Sequence, residues 1–278
     1  MVNELPRLWL SHHAKHFHYS ELGYNRLCKS ELFVTKSFKK YQLPFRIDWS
    51  VDPFSSKSWR LYFHSLDWLH SFRFAINNLN RSEELEVALG IIFDWWRNNS
   101  NQENIDAMAW DDHATANRLA NLCFWYRLTN DLEKKAKLVE IIDFHCIKIQ
   151  EFYESGHWTS NNHGIFHIAS LINVINIFKN QKMSVNCKIL AQNYLDILVK
   201  SIIHKDSGYS VEQSTFYHQF VIREFKPLLD VIGENDVIDS HGIESCVNKM
   251  IYFLNMISTD SGNVSSLGDT AYGLSLIH

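Results

Sequence analysis

Two short stretches of this chain hold residue types that together can move a proton off carbon. The first, WTSNNHG from Trp158 to Gly164, offers the amide of Asn162 and the imidazole of His163. The second, EQSTFYHQF from Glu212 to Phe220, offers the phenol of Tyr217 beside a further imidazole, His218. They lie too far apart for one helix and at a natural distance for two loops that a helical array brings together. An amide donates hydrogen bonds without titrating. A phenol, with an ordinary pKa of about 10, serves as base or acid when a cationic or hydrogen-bonded environment lowers it. This set suits an acid/base site for a carboxylated sugar. Removing the proton next to a carboxylate and expelling a glycosidic oxygen needs donors for the carboxylate, a base for the proton and an acid for the leaving oxygen.

Each residue also has an ordinary reading. An asparagine at a helix start is a common N-cap, and a tyrosine in STFYHQF packs readily into a core. His218 can orient Tyr217, bind sugar, or simply make local hydrogen bonds. Glu212 caps a helix or pairs with a cation, and its charge does not help directly beside an anionic substrate. Arg118, His113 and Arg223 are candidates for anion binding, arginine being suited to bidentate contact with a carboxylate; solvated or intramolecular ion pairs are the alternative. Trp110 and Trp158 can form flat walls for a sugar face. Trp59, Trp68 and Trp96 sit at helical spacing and are expected in the core. No zinc motif, phosphate loop or dinucleotide fingerprint is present, so neither metal nor cofactor is expected.

The elements that must position these groups are helical. With 46% hydrophobic and 14% aromatic residues among 278, the chain can build a sizeable core. Only 10 Gly and 4 Pro are too few for a many-turned β protein. A formal charge of −4, from 27 basic and 31 acidic residues, argues against broad capture of nucleic acid or an anionic membrane. Five scattered cysteines without CxxC spacing suggest neither a disulfide framework nor a thiolate metal site. The N-terminus lacks the apolar core of a secretory signal, and no apolar run is long enough to span a membrane. The expectation is a cytoplasmic location, or a periplasmic one if the native N-terminus extends further.

Residues 1–45 read as an arm with one helix, from Ser20 to about Lys40, and the histidines at 12, 13, 16 and 18 read as part of a solvated basic segment. Pro44 closes it. From Ser58, a candidate cap, the residues Trp59, Tyr62, Phe63, Leu66, Leu69, Phe72 and Ile76 recur at three- and four-residue spacing, the mark of one helix face turned inward. Further helices are expected at about 82–98, 111–128, 134–154, 162–179, 184–204, 214–232 and 240–258, the 111–128 helix capped by Asp111 or Asp112. Helices of similar length joined by short loops form antiparallel hairpins, which close as a bundle, stack as a solenoid or curl into a toroid. No strict repeat supports the solenoid. The loops at 109–118, 156–164 and 206–218 are the richest in Trp, His, Asn and Gly, and a cleft lined by them is the default site.

Five segments, IDWSVDP (47–53), AWDDHATANR (109–118), NNHG (161–164), GYSVEQSTFYH (208–218) and SGNVSSLGDTAYG (261–273), resemble in order and spacing the helical domain of heparinase II/III-like and related alginate polysaccharide lyases. The resemblance covers about residues 45–273. It implies an all-α fold, an incomplete α/α toroid of helical hairpins over 46–278, and a β-eliminating lyase of uronic-acid-containing polysaccharide. It implies that Asn162 helps neutralise the substrate carboxylate, with His163 beside it as second donor or base, and that Tyr217 is base or acid. In complete members an antiparallel β-sandwich follows and completes the site. The present sequence ends at His278, just past Gly268-Asp269, so the expected partners are an acidic polysaccharide and a β-sandwich domain encoded separately. The alternative functions are a non-catalytic carbohydrate-binding helical domain and an interaction scaffold.

Overall fold

The computed structural model describes residues 7–100, 105–155, 162–179, 181–233, 238–259 and 264–265. Ten α-helices are seen among them: α1 (Glu21–Leu27), α2 (Lys57–Ser65), α3 (His70–Leu79), α4 (Glu84–Asn99), α5 (Asp112–Leu128), α6 (Leu132–Glu154), α7 (His163–Ile177), α8 (Lys182–Ser201), α9 (Thr215–Gly233) and α10 (His241–Met256). The last seven match the spans expected from apolar periodicity to within a few residues at their ends. Chain contacts divide the protein into two compact units, Leu10–Glu151 and a second that joins Met1–Trp9 to Phe152–His278. Each has a central helix buried all round. In the first it is α5, buried without interruption from His113 to Trp125; in the second it is α7, buried from Gly164 to Asn176. Such helices need neighbours on every side. In the first unit α5 packs on α2, and α3 packs on α1 and α4; in the second α7 packs on α8 and α9, and α10 on the same two.

Asp111 caps α5 by accepting from the backbone N–H groups of His113 and Ala114. The cap of α2 is Ser56, not Ser58, its hydroxyl accepting from Trp59 N–H. The apolar run that begins there is two helices rather than one. Leu66 takes a left-handed conformation (φ 60°), and a 3-10 turn, Asp67–Leu69, precedes α3. A non-glycine residue in this region costs about 1–2 kcal/mol. What offsets it is burial of Leu66, a Trp68 Nε1–H donated to the Phe63 carbonyl at 3.0 Å, and the delivery of Asp67 into a polar cluster. There Asp67 accepts from Ser11 Oγ (2.7 Å) and Asn121 Nδ2 (2.8 Å), and His70 Nε2 donates to Asn121 Oδ1 (2.8 Å).

The N-terminal segment differs from its expected form. The helix stops at Leu27, Ser30 is left-handed (φ 57°), and a two-stranded antiparallel hairpin follows, β1 (Glu31–Leu32) with β2 (Tyr41–Gln42), pairing Glu31 with Gln42 and Leu32 with Tyr41. The segment from Cys28 to Pro44 has too little helical periodicity to carry α1 further. Nor is residue 7 onward a solvated arm. Trp9 is fully buried, its ring edge-on to Phe166 at 5.5 Å, and its backbone N–H and C=O both bond the side-chain amide of Asn173 at 2.8 and 2.7 Å. His18 is buried with Nε2 at 3.2 Å from the Val34 carbonyl, whereas His16 is exposed.

Arg118 lies wholly inside the first unit. Its Nε–H donates to His145 Nε2 (2.8 Å), Nη1–H to the His64 carbonyl (2.7 Å) and Nη2–H to the Ala109 carbonyl (2.8 Å), while its plane lies over Trp95 at 3.7 Å. Because arginine only donates, His145 accepts at Nε2 and is the neutral Nδ1–H tautomer, donating to Ile141 O at 2.7 Å. By the same logic the indole N–H of Trp95 makes His64 an acceptor at Nδ1 (3.1 Å). Burial lowers the pKa of Arg118, countered by the charge of Asp111.

A lysine ammonium cannot reach three acceptors so disposed, so Arg118→Lys is expected to lower stability by about 3 kcal/mol; an unchanged denaturant midpoint would contradict this arrangement. The buried imidazoles also set a pH dependence. Burial holds His64 and His70 down at about 3 and His18 and His145 well below their ordinary value. The unfolded chain takes up these protons near pH 6.5 and the folded one does not. Their contribution is therefore complete above pH 6.5 and is lost as pH falls towards 3, at about 1.4 kcal/mol per pH unit for each group. Asp67 opposes them: burial raises it from 3.8 to about 6, so the penalty it carries at neutral pH is relieved as pH falls through 6. The melting temperature should fall between pH 7 and pH 5, and fall more steeply in Asp67→Asn.

Candidate functional site

Asn162, His163, Glu212, Tyr217, His218 and Arg223 all belong to the unit that contains α7 and α9. Asn162 immediately precedes α7 in a helical conformation (φ −58°, ψ −24°), and its side chain does not cap that helix. Instead both of its nitrogens address one carboxylate: the backbone N–H donates to Glu212 Oε1 and Nδ2 to Glu212 Oε2, each at 3.2 Å. Among the described residues Glu212 forms no ion pair, and its carboxylate is taken up by Asn162. It fixes which way the Asn162 amide faces, because only the NH2 end can bond a carboxylate. The second N–H of that amide and its carbonyl point elsewhere. Glu212 itself is set by a tight turn in which Gln213 is left-handed (φ 52°), and its own N–H bonds Ser210 Oγ at 3.3 Å. His163 opens α7 one residue after Asn162 and is half-buried.

Tyr217 lies in the first turn of α9 and is 37% exposed. Its ring meets Phe216 edge-on at 5.4 Å, and among the described residues no hydrogen bond joins it to Asn162. The next residue faces the other way. His218 is fully buried, stacked on Tyr209, with Nδ1 accepting the Ser210 N–H (3.2 Å) and Nε2–H donating to Met250 O (2.8 Å). Burial lowers its pKa, and with both nitrogens occupied it is a neutral strut for the 210–218 turn. An expectation that it touches sugar does not survive this burial. Arg223, one-third exposed, lies over Phe220 at 5.0 Å and reaches Glu224 at 3.4 Å.

Trp110, His113 and Arg118 belong to the other unit. Arg118, expected as an anion binder, is instead the core group described above: no part of it reaches solvent. Trp110 is half-buried, donates its indole N–H to Asn99 O at 2.8 Å and packs among Trp95, Phe144 and His145. His113 is buried in the first turn of α5. Trp158, the remaining expected wall, lies outside the described residues, as does the Gly268-Asp269 segment.

One residue, His145, and one contact were missed in the sequence. His145 interrupts the buried stripe of α6, Leu138, Ile141, Ile142, Cys146 and Ile149, and a polar residue in such a stripe signals a buried partner. The tie from Glu212 to Asn162 left no periodic mark, because it joins two loops. An open pocket of about 630 Å³ lies between the Asp206–Gly208 turn and α10, lined by Glu244, Asn248 and Tyr252 among others; none of the expected site residues lines it. No helix among the described residues is long and apolar enough to cross a membrane.

A family model described as Heparinase II/III N-terminus matches residues 19–272. Solved structures of similar fold include a heparinase III with methylated lysines, at TM-score 0.66 and 18% identity, and heparan sulfate lyase HepC from Pedobacter heparinus, at 0.64 and 17%. The likeness covers 91% of this chain and 41% of the first structure, and 93% and 40% for the second. The chain therefore spans about two-fifths of the length of these proteins. No curated protein sequence gives a significant match. At such identity the structural likeness shows the fold, an all-α array of the α/α-toroid class, and the match over most of the sequence shows that the chain belongs to the heparinase II/III family through its N-terminal helical domain.

Proposed function

We propose that this chain supplies the helical half of a polysaccharide lyase that cleaves a uronic-acid-containing acidic glycan by β-elimination. The observation that carries the reading is the Asn162 amide, held at a loop-to-helix junction by Glu212 rather than spent on capping α7. An amide so oriented presents a fixed donor to a sugar carboxylate, whose negative charge grows as the neighbouring carbon loses its proton. His163 stands beside it as second donor or base, and the exposed phenol of Tyr217 is the group to take the proton or protonate the leaving oxygen. Arg223, which shares α9 with Tyr217, is assigned to glycan contact. The family relatives that act on heparan sulfate make a glycosaminoglycan the substrate class to try first.

Glu212 has a second consequence. Because both of its oxygens accept from Asn162, Glu212→Gln puts an NH2 where one acceptor stood and releases the amide, so binding of an anionic glycan, followed by calorimetric titration, should weaken several-fold. A second reading, a carbohydrate-binding domain without turnover, is favoured by there being, among the described residues, no hydrogen bond that joins Tyr217 to Asn162. The two separate in one experiment. Heparan sulfate or alginate is incubated with the protein, alone and with a β-sandwich domain of the family, while ultraviolet absorbance of the unsaturated uronate is followed. Lyase action gives a rising signal that falls about a hundredfold in Asn162→Ala and collapses in Tyr217→Phe; an undiminished rate in both variants would sink the assignment. Saturable binding with no absorbance change under either condition would favour the binding domain.

A further inference from the structure

A pocket of about 370 Å³ opens in the Leu10–Glu151 unit, lined by none of the residues assigned to the glycan. That volume lies within the range of small-molecule sites. Its walls are Phe17, Leu22, Leu27, Leu32, Phe33 and Trp68, contributed by α1, β1 and the turn before α3. The polar groups in its floor are spent internally. Ser71 Oγ donates to His18 O (3.1 Å), and Ser20 Oγ accepts the Gly23 N–H (3.0 Å) and donates to Phe17 O (3.3 Å). Gly23 lets α1 close down on this floor: a Cβ there would stand 2.8 Å from His18 O and 2.9 Å from Ser71 Oγ. The two serine hydroxyls are therefore spent within the floor, and of the imidazoles that also line the pocket, His16 and His18, the second has its Nε2 on the Val34 carbonyl.

The mouth is different. Arg26 and Lys36 line it, and neither forms an ion pair among the described residues. Glu31, the carboxylate in the lining, is bonded to Lys40 outside at 2.6 Å. Arg26 stacks on Phe33, its guanidinium carbon 4.2 Å from the ring centroid. Stacking occupies the face of the guanidinium and leaves its in-plane N–H groups for an anion. Exposed apolar area beneath two cations that form no ion pair among the described residues is complementary to one ligand chemistry, an apolar body ending in an anionic head.

We propose that this pocket is a binding site for a small amphipathic anion, a carboxylate or sulfonate carried on an aliphatic or aromatic body, with the body against Trp68 and Phe17 and the head on Arg26 and Lys36. Nothing in it suits a glycan, whose hydroxyls would meet an apolar floor. The site is thus independent of the lyase reading and does not stand or fall with it.

The test is calorimetric titration of the full chain with octanoate, octanol and octylammonium, three probes of similar body and different head. Octanoate should bind saturably and at least about fivefold more tightly than octanol, and octylammonium should not bind. Arg26→Ala and Lys36→Ala should each weaken octanoate several-fold, and the double reversal Arg26→Glu/Lys36→Glu should favour octylammonium instead. These side chains are on the surface, so circular dichroism should be unchanged, and a pocket-filling Leu22→Trp variant serves as an independent block. Equal binding of octanol and octanoate, octanoate binding that survives the double reversal or the Leu22→Trp block, or no heat with any probe would overturn the proposal.

Discussion

A buried guanidinium has to be given partners for its donors, and that requirement organises the first half of this protein. Arg118 takes one acceptor from α2, one from the 3-10 turn before α5 and one from α6, and offers its face to Trp95 on α4. Five segments are thereby held to one point by geometry that no other side chain provides. The two histidines nearest to it, His64 and His145, are kept neutral in part by its charge, so the cation also determines where hydrogens sit in the surrounding core. Removing one member of such a set leaves the others unsatisfied in a dry interior, where each missing bond costs more than it would at the surface.

The second half solves the opposite problem. Its central helix, α7, is mostly apolar, and two polar contacts tie it to the rest of the unit: Asn162 before its first turn is bound by Glu212, and Asn173 within it serves the backbone of Trp9. The candidate site therefore stands at the start of the helix that is buried all round in its unit. A donor anchored there moves little, which is what stabilising a developing charge requires.

Much of the fold was legible because helices write themselves into a sequence with a regular period. Helices α4 to α10 could be read from apolar spacing, and the cap of α5 could be narrowed to Asp111 or Asp112, of which the first is used. What escaped reading lacked a period. Leu66 is an ordinary member of an apolar stripe, and nothing local says that it ends a helix by turning left-handed; the reason is tertiary, the placement of Asp67 beside Asn121. The N-terminal segment looked like an arm because its hydrogen bonds are made to residues far along the chain. In the site, residue type identified Asn162 and Tyr217 as candidates but could not tell that Glu212 would hold one of them. Nor could it tell that Arg118 and His218, chemically apt for an anionic sugar, would point into the core.

The bond between Trp9 and Asn173 joins residues 164 positions apart. During synthesis, Trp9 emerges from the ribosome long before α7 exists, and its indole and backbone have no partner until more than half of the chain has been made. The Leu10–Glu151 unit, formed by one continuous stretch, can condense in that interval. The other unit closes only when its opening segment is reclaimed by a helix that arrives late, so the order of translation leaves a large tryptophan exposed for the longest time of any in the described core.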